Sequence, residues 1–173
     1  MEQHNAVDNN SYLVFKIGEE EFAAHASKVQ RILELQPITT IPKAQKYMKG
    51  VINLMGKVLP VIDARLKMDL PEKEADANTC IVVLEIEKGG RVVETGIIVD
   101  SVQSVLEIQK HEISEPPSIG IEVNTQFIYG MVQQDSKFIM LLDVDNVFSV
   151  EEVIKLKEAT ETQIEELQEA KEE

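Results

Sequence analysis

The side chains best able to do chemistry in this chain are three histidines, His4, His25 and His111, and one cysteine, Cys80. Hydrolytic and metal sites need a nucleophile, a base or metal ligands at fixed spacing, as in the strings C-x-x-C, H-E-x-x-H and G-x-S-x-G. None of these strings occurs, and the histidines lie far apart in the sequence. The sequence therefore predicts a protein that is not an enzyme and needs no metal or cofactor.

Two short strings resemble ligand sites, but local structure explains each of them better. Asp143, Asp145 and Asn146 have the spacing that begins a calcium loop, yet the Gly at its sixth position and the closing Glu are missing. Asp143 also repeats Asp63, so N-capping of a short helix accounts for both aspartates. Gly89-Gly90 lacks the Lys-Ser/Thr of a phosphate loop and lies between two apolar runs, which predicts a hairpin turn.

The charge balance limits the partners. The 173 residues carry 31 acidic and 17 basic side chains, a formal net charge of -14, and this field repels phosphate backbones and anionic lipid surfaces. No segment has the roughly 20 apolar residues of a membrane span, and the N-terminus lacks signal-peptide features. A single cysteine excludes an internal disulfide and fits a reducing compartment. We therefore expect a cytoplasmic protein with no nucleic-acid partner and no direct membrane insertion.

The stretch from Lys49 to Arg65 organises the rest of the chain. Apolar runs flank Met55-Gly56, and glycine supplies the positive φ of a tight hairpin turn. Pro60 has no N–H to donate, so the second arm is predicted to lie at a sheet edge or to carry a bulge. Asp63 then suits the N-cap of a short helix, Asp63 to Met68.

This stretch resembles the core signature of the CheW family, the adaptors of bacterial chemotaxis, which is close to G-V-x-N-L-R-G-x-x-x-P-x-x-D-L-R. The residues that match it in order and spacing are Gly50, Val51, Asn53, Leu54, Gly56, Pro60, Asp63 and Arg65. The similarity extends upstream to Val29 and downstream to about Ser149, so it covers most of the chain. One departure is Met55, which stands where the family usually has Arg.

The resemblance implies both a fold and a function. The fold is mainly β, with two tandem five-stranded SH3-like β-barrels that share a core, short helices and a groove between the barrels. The function is that of a non-catalytic adaptor, which couples the cytoplasmic tips of methyl-accepting chemoreceptors to the regulatory domain of the histidine kinase CheA and is recruited to membrane-bound receptor arrays. The groove would take a receptor helix, and the barrel edges would take the kinase domain.

Small β-barrels bind partners through edge strands and grooves, with apolar anchors rimmed by charge. The predicted protein-binding residues are the apolar Val29, Ile32, Gly50, Met55 and Gly56 and the rim charges Arg31, Lys49 and Arg65. Val29, Gly50 and Met55 also match family positions implicated in binding receptor or kinase. Each apolar residue has an equal claim to core packing or turn geometry, and Asp63 and Arg65 could form an ordinary exposed ion pair. Met55 is the exception, because a methionine at a hairpin tip is hard to bury in its own barrel.

The second half of the chain echoes the first. Val29 to Leu35 aligns with Val102 to Ile108 at an offset of 73, and Gly50, Lys57 and Asp63 align with Gly130, Lys137 and Asp143 at an offset of 80. Two copies rich in short strands and turns predict two small barrels, at about 11–70 and 79–149, joined by a charged linker. Neither copy would bury a sufficient core alone. We therefore expect one folding unit over residues 11–149, a shared apolar layer and strands that can be exchanged between the barrels.

The two ends of the chain are predicted to differ from the body. Residues 1–10 are polar and should be disordered, whereas residues 150–173 should form an acidic C-terminal helix. Ser149 at the N-cap and Glu152 three residues later predict a capping box. Apolar residues become sparse beyond Glu158, so the first turns should pack on the body and the remainder should fray.

Two alternatives to a chemotaxis adaptor stay open. A small-molecule-binding or enzymatic β-barrel of unknown substrate would place convergent titratable groups in its groove, whereas an adaptor would keep an apolar groove with a charged rim. A same-fold adaptor in a non-flagellar sensory pathway would carry no residue that distinguishes it.

Overall fold

The computed structural model describes residues 10–116 and 127–172, without the side chains of residues 162–168 and 170–172. Apart from Asn10, the predicted N-terminal tail lies outside the described residues. The strands are β1 (Ser11–Ile17), β2 (Glu20–His25), β3 (Val29–Glu34), β4 (Met48–Leu54), β5 (Lys57–Asp63), β6 (Cys80–Lys88), β7 (Arg91–Val99), β8 (Ser101–Glu107), β9 (Ile128–Gln134) and β10 (Lys137–Leu142). The helices are α1 (Ala64–Lys67), α2 (Val150–Glu172) and 3-10 turns at Ala26–Lys28, Lys110–Glu112 and Val144–Asn146.

The strands form two five-stranded sheets with the same internal plan. The first sheet has the order β8-β1-β2-β10-β9 and the second has the order β3-β6-β7-β5-β4. In each sheet only the third pairing, β2 with β10 or β7 with β5, is parallel. The mainly β fold of two five-stranded units is thus confirmed. The sheets do not follow the stretches 11–70 and 79–149, because each takes strands from both.

The same backbone hydrogen bonds occur at equivalent positions of the two repeats. Gly50 faces Val61 in the second sheet as Gly130 faces Leu141 in the first. The residue after each glycine forms an isolated antiparallel bridge, Thr39 with Val51 and Ser114 with Met131. The N–H of Asp63 donates to the carbonyl of Tyr47 at 2.8 Å, and that of Asp143 donates to Phe127 at 2.7 Å. The predicted equivalence of the glycines and of the aspartates is therefore confirmed.

The two aspartates differ in what their carboxylates do. Asp63 caps α1 by accepting hydrogen bonds from the backbone N–H groups of Arg65 and Leu66. Asp143 occupies the matching position before Val144–Asn146, but its side chain makes no capping bond and instead accepts from Nδ2 of Asn146 at 2.5 Å. The capping prediction is therefore correct for Asp63 and wrong for Asp143.

Pro60 does not lie on an edge strand. β5 is flanked by β4 and β7, so the predicted edge position is wrong. The proline is tolerated inside the sheet because the ladder with β7 begins at Val61, one residue after it. The alternative prediction, a bulge at Pro60, is also wrong, because Pro60 pairs regularly with Val51 and the irregularity of the β4–β5 pairing lies between Met48 and Gly50.

A shared apolar layer joins the two sheets, as expected for repeats too small to fold alone. It includes Phe15 and Phe22 from the first sheet and Leu84 and Ile97 from the second. A separate small core lies on the opposite face of each sheet, around Leu141 in the first sheet and around Val61 in the second. The sheets therefore depend on one another through the layer between them.

Helix α2 closes one end of the shared layer. Its capping box is confirmed, because the N–H of Ser149 donates to Glu152 Oε1 at 3.0 Å and the N–H of Glu152 donates to Ser149 Oγ at 3.1 Å. Val153 and Leu156 are buried. The helix continues to Glu172, so the structure does not have the predicted fraying beyond Glu158. No helix among the described residues is long and apolar enough to span a membrane.

Candidate protein-binding surfaces

The outermost strand of the second sheet, β3, carries three of the predicted binding residues. Val29 is half-buried against the shared layer, whereas Arg31 is exposed and Ile32 is 49% exposed. Within the described parts of the chain, β3 pairs with β6 and with no other strand. An outermost strand offers unpaired backbone groups to another chain, so β3 presents an apolar anchor beside an available edge.

The β4–β5 turn holds two more predicted residues. Met55 has φ +49 and Gly56 has φ +85, the positive values that a two-residue type I′ hairpin requires. The side chain of Asn53 fixes this turn by accepting from the N–H of Gly56 at 2.9 Å. Met55 is 74% exposed, the most exposed of the large apolar side chains described. The turn therefore holds a flexible thioether in solvent, and the binding role of Met55 stays a prediction.

Gly50 is buried and has a backbone role. Its φ is +146, and a Cβ added there would lie 1.9 Å from the carbonyl oxygen of Thr39. That oxygen accepts a hydrogen bond from the N–H of Val51. Only glycine permits this close approach of two backbones. Gly50 can therefore affect binding only indirectly, through the backbone conformation of β4.

Lys49 and Arg65 line one cavity of about 420 Å³, and both are engaged in ion pairs. Lys49 pairs with Glu72. Arg65 binds both carboxylate oxygens of Asp100, with Nε to Oδ1 at 2.9 Å and Nη2 to Oδ2 at 2.8 Å. Asp100 Oδ2 also accepts from the N–H of Gly18 at 2.8 Å. Arg65 therefore ties α1 to the corner between β7 and β8 and, through Asp100, to the β1–β2 turn.

The pKa values of this pair follow from the same contacts. Hydrogen bonding to Asp100 raises the pKa of Arg65 above its ordinary value. Partial burial alone would raise the pKa of Asp100, but the bonds from Arg65 and Gly18 outweigh burial and lower it. Both groups stay charged at neutral pH, so this pair is a permanent structural tie.

Seven of the eight predicted residues thus fall in three places, and Gly50 is buried within β4. Val29, Arg31 and Ile32 share β3, the hairpin tip holds Met55 and Gly56, and the cavity brings Lys49 and Arg65 together. β3 and β4 lie at opposite sides of the second sheet in strand order.

A groove between the sheets was not foreseen residue by residue. Its volume is about 700 Å³, and its apolar lining is Ile17, Phe22, Met68, Leu70, Phe127, Ile128, Met140 and Val147. Its rim includes Glu20, Lys67, Asp69, Lys88 and Glu152. The signal available in the sequence was the alternation in β10, which puts Phe138 and Met140 on the same face of the strand. In the structure, Phe138 is 52% exposed.

Two titratable groups of the groove rim, Lys67 and Glu152, are paired with each other and with Tyr47. Glu152 accepts from the hydroxyl of Tyr47 and from Lys67 Nζ, which also lies 4.6 Å from the Tyr47 ring centroid. Burial alone would raise the pKa of Glu152, but hydrogen bonds from Lys67, Tyr47 and Ser149 lower it to about 2. Burial and the bond to Glu152 raise the pKa of Tyr47. This network joins α1 to α2 and leaves these groups no free acid or base.

The described residues contain no group of three or more side chains that could hold a metal ion. Among the residues that the structure describes, the groove and the β3 edge are two apolar surfaces. The sequence model of the CheW-like domain matches residues 11–152. The chain belongs to the CheW-like domain family.

Individual CheW proteins agree with this assignment. The chain is 33% identical over 142 residues to the chemotaxis protein CheW of Klebsiella aerogenes, covering 82% of this chain and 83% of that protein. It is 33% identical over 140 residues to the CheW of Bacillus subtilis, covering 80% and 86%. The crystal structure of the scaffolding protein TtCheW from Thermoanaerobacter tengcongensis matches with a TM-score of 0.71 and 30% identity, over 82% of this chain and 94% of that one.

Membership in the CheW-like family makes this chain a non-catalytic scaffolding adaptor of the chemotaxis class and confirms the predicted resemblance. The family match ends at Glu152, whereas α2 continues to Glu172. Most of α2 therefore lies outside the part of the chain that the CheW-like domain accounts for.

Proposed function

We propose that this chain couples the cytoplasmic tips of methyl-accepting chemoreceptors to the regulatory domain of the histidine kinase CheA, and that it is recruited to membrane-bound receptor arrays. The observation that carries the proposal is the presence of two separate uncovered apolar surfaces on a CheW-like scaffold, the groove and the β3 edge. An adaptor needs two such surfaces because it must hold two partners at once.

The groove is suited to a receptor helix. Amphipathic helices bind by laying an apolar face into a hydrophobic groove. The volume of about 700 Å³ is large enough for several side chains, and Phe22 and Met140 lie side by side in its floor. The nearby charges on Lys67 and Glu152 are already paired, so a docking helix need not neutralise them.

The β3 edge is suited to a folded kinase domain. The CheA regulatory domain resembles CheW in fold and would bring sheet edges of its own. We propose Ile32 as the apolar anchor and Arg31 as a rim charge, with Met55 at the hairpin tip as a further contact. Val29, Gly50 and Gly56 would support this surface through packing and backbone geometry, and Lys49 and Arg65 through their ion pairs.

The test uses a matched pair of charge insertions on equivalent strands. Ile32 on β3 corresponds to Val105 on β8, the outermost strand of the first sheet, and Val105 is 64% exposed. Ile32→Glu should weaken capture of the purified kinase domain by at least roughly ten-fold, because a charge is placed in an apolar contact. Val105→Glu should leave capture unchanged, and both variants should still bind a receptor cytoplasmic fragment. Equal effects of the two variants on kinase binding would contradict the assignment of β3.

Met55 gives a second test of the same surface. Arginine offers a fixed fork of donors, whereas methionine offers only adaptable apolar contact. Met55→Arg should leave the melting temperature nearly unchanged, because the side chain is 74% exposed. Kinase binding should become more dependent on salt concentration in the variant than in the original chain. Identical binding of both proteins at low and high salt would remove Met55 from the interface.

A further inference from the structure

Another cleft, here called the α2 cleft, opens between helix α2 and the β4–β5 hairpin. Its volume is about 280 Å³. Its apolar lining comes from the hairpin strands and the start of β7, with Leu54, Val58, Leu59, Val92 and Val93. Val92 is 52% exposed, so this apolar surface reaches solvent. The α2 cleft is distinct from the groove, because the two share no lining residue in the described parts of the chain.

Helix α2 forms one wall of this cleft and then extends past it. Its last lining residue is Glu161, and the helix runs on to Glu172, about 16 Å further along its axis. Thr160 also lines the cleft and is partly buried. Its hydroxyl donates to the carbonyl of Leu156 at 3.0 Å, so this polar group is satisfied within the helix. The helical wall can therefore accept an apolar contact.

The apolar spacing of α2 continues beyond the cleft. After Leu156 and Thr160, the sequence has aliphatic residues at Ile164 and Leu167, in steps of four and three. Steps of this size put all four positions on one face of a helix. The face that begins on the sheet therefore continues for two more turns past Thr160, which is the pattern of a helix that pairs with another helix.

The charges decide which helix fits. In the lining of the cleft, Lys57 and Lys157 balance Glu94 and Glu161. Beyond the cleft, residues 162–173 hold five glutamates and one lysine, a net charge of -4. Like charges three or four residues apart destabilise an isolated helix, and acids in its last turn oppose the helix dipole. A cationic partner would relieve this repulsion, whereas a second copy of the chain would increase it.

We propose that the α2 cleft and the distal face of α2 bind a basic amphipathic helix of a partner protein. The apolar side chains of that helix contact Val92 and follow the apolar face of α2 beyond Thr160. Lysine or arginine residues on its flanks meet the glutamates of residues 162–173. This surface goes beyond the proposed function, because it uses neither the β3 edge nor the groove. The family match ends at Glu152, so the helical wall is an addition to the CheW-like domain.

The experiment uses the full chain and three synthetic 15-residue peptides, stapled because short free helices are marginal in water. The first has leucines in steps of three and four with lysines on the flanks. The second has glutamates in place of the lysines, and the third has the composition of the first with its leucines scattered around the helix. The first should bind at least roughly ten-fold more tightly than either of the others, with an affinity that falls as salt rises. Equal binding of the first and third would reduce the effect to unspecific charge attraction and overturn the proposal.

Variants of the chain test the two parts of the surface. A chain ending at Lys157 lacks the distal part of α2 and should bind the first peptide at least roughly ten-fold more weakly. Val92→Lys places a charge in the apolar wall and should also weaken binding. Its control is Val105→Lys on β8, which adds the same charge at a side chain that is 64% exposed and should bind as the unaltered chain does. Unchanged binding by the shortened chain, or equal effects of the two lysines, would overturn the proposal.

Amide signals of the ¹⁵N-labelled unaltered chain locate the peptide even if a variant fails to fold. The first peptide should shift the signals of Leu54, Val58 and Val92. Shifts confined to Phe22 and Met140 would place the peptide in the groove and overturn the proposal. Sedimentation without peptide tests the other occupant. A dimer formed by the full chain but not by the chain ending at Lys157 would show that a second copy covers this surface, which would also overturn the proposal.

Discussion

The two sheets share one plan but differ in what covers them. Both pair their strands in the same pattern, and both place a glycine, a bridge and an aspartate at equivalent points. The second sheet has its β5–β7 face closed by α2, while the corresponding β10–β2 face of the first sheet is open as the groove. The two repeats thus share their backbone geometry and differ in whether a helix covers the sheet face.

Two ion pairs, Arg65 with Asp100 and Lys28 with Asp145, tie the repeats together at two corners of the fold. The backbone positions are equivalent, but the acid and the cation are exchanged between the elements. In one corner the cation is on the helix, where Arg65 binds Asp100, and Asp100 accepts from the N–H of Gly18. In the other corner the acid is on the helix. Asp145 accepts from Lys28 Nζ at 2.9 Å and from the N–H of Glu87 at 2.8 Å. In both corners the acid serves one cation and one backbone N–H, so the tie depends on that arrangement rather than on which element carries the acid.

The largest expected effect comes from removing the cover on the second sheet. A chain ending at Ser149 loses Val153 and Leu156, whose burial stabilises the fold by about 1.5 to 3 kcal/mol each, together with the bonds to Glu152. We expect the free energy of unfolding to fall by roughly 4 to 6 kcal/mol in urea titrations. A matched chain ending at Lys157 should lose almost nothing. Equal losses would show that the distal part of α2 also stabilises the body.

The equivalent glycines should differ in their tolerance of a methyl group. Gly50→Ala would force Cβ to within 1.9 Å of a backbone oxygen at φ +146, and we expect a loss of roughly 3 to 4 kcal/mol. Gly130→Ala meets the side chain of Ile113 at 2.5 Å, which can move, so a loss of about 1 to 2 kcal/mol is expected. Thermal melts of the two variants measure the difference. A larger loss of stability for Gly130→Ala than for Gly50→Ala would contradict this ranking.

The corner ion pairs should also be unequal. Asp100→Asn breaks a bidentate contact with Arg65 in a part-buried setting, and we expect a loss of about 1 to 3 kcal/mol. Asp145→Asn weakens one bond to Lys28 in a more exposed setting, with an expected loss of about 0 to 1 kcal/mol. Urea unfolding at low and at high salt should show the larger salt effect in the exposed pair. A larger loss of stability for Asp145→Asn would contradict this ranking.

The last effect is confined to acid, where one carboxylate on α2 loses its contacts. The pKa of Glu152 is about 2 in the folded chain against an ordinary 4.5. A folded pKa below the unfolded value means that the stabilisation is complete above about pH 4.5 and is lost as the pH falls towards 2. Amide exchange at Val153 and Leu156 should therefore accelerate in this range before exchange at Phe22 does. The control, Glu152→Gln, should show no such early step, and its persistence in the control would assign it to another group.

Much of the local structure could be predicted from the sequence. The hairpin around Gly56, the N-cap at Asp63 and the capping box of Ser149 and Glu152 each depend on residues within a few positions of one another. The repeat offsets also anticipated the equivalence of Gly50 and Gly130, because strands of the same kind keep the same spacing. These features follow from local backbone chemistry, which a single sequence displays directly.

The tertiary structure alone decided which strands pair and which surfaces stay open. The parallel pairings of β2 with β10 and of β5 with β7 join distant segments, so they placed Pro60 inside a sheet and mixed the strands of the two repeats. The engagement of Arg65 with Asp100 and the burial of Gly50 under Thr39 are likewise contacts between distant residues. The groove exists because the chain turns away at Pro71 while α2 continues past Val150. That outcome depends on where the segments lie in space, which residue types and spacing do not specify.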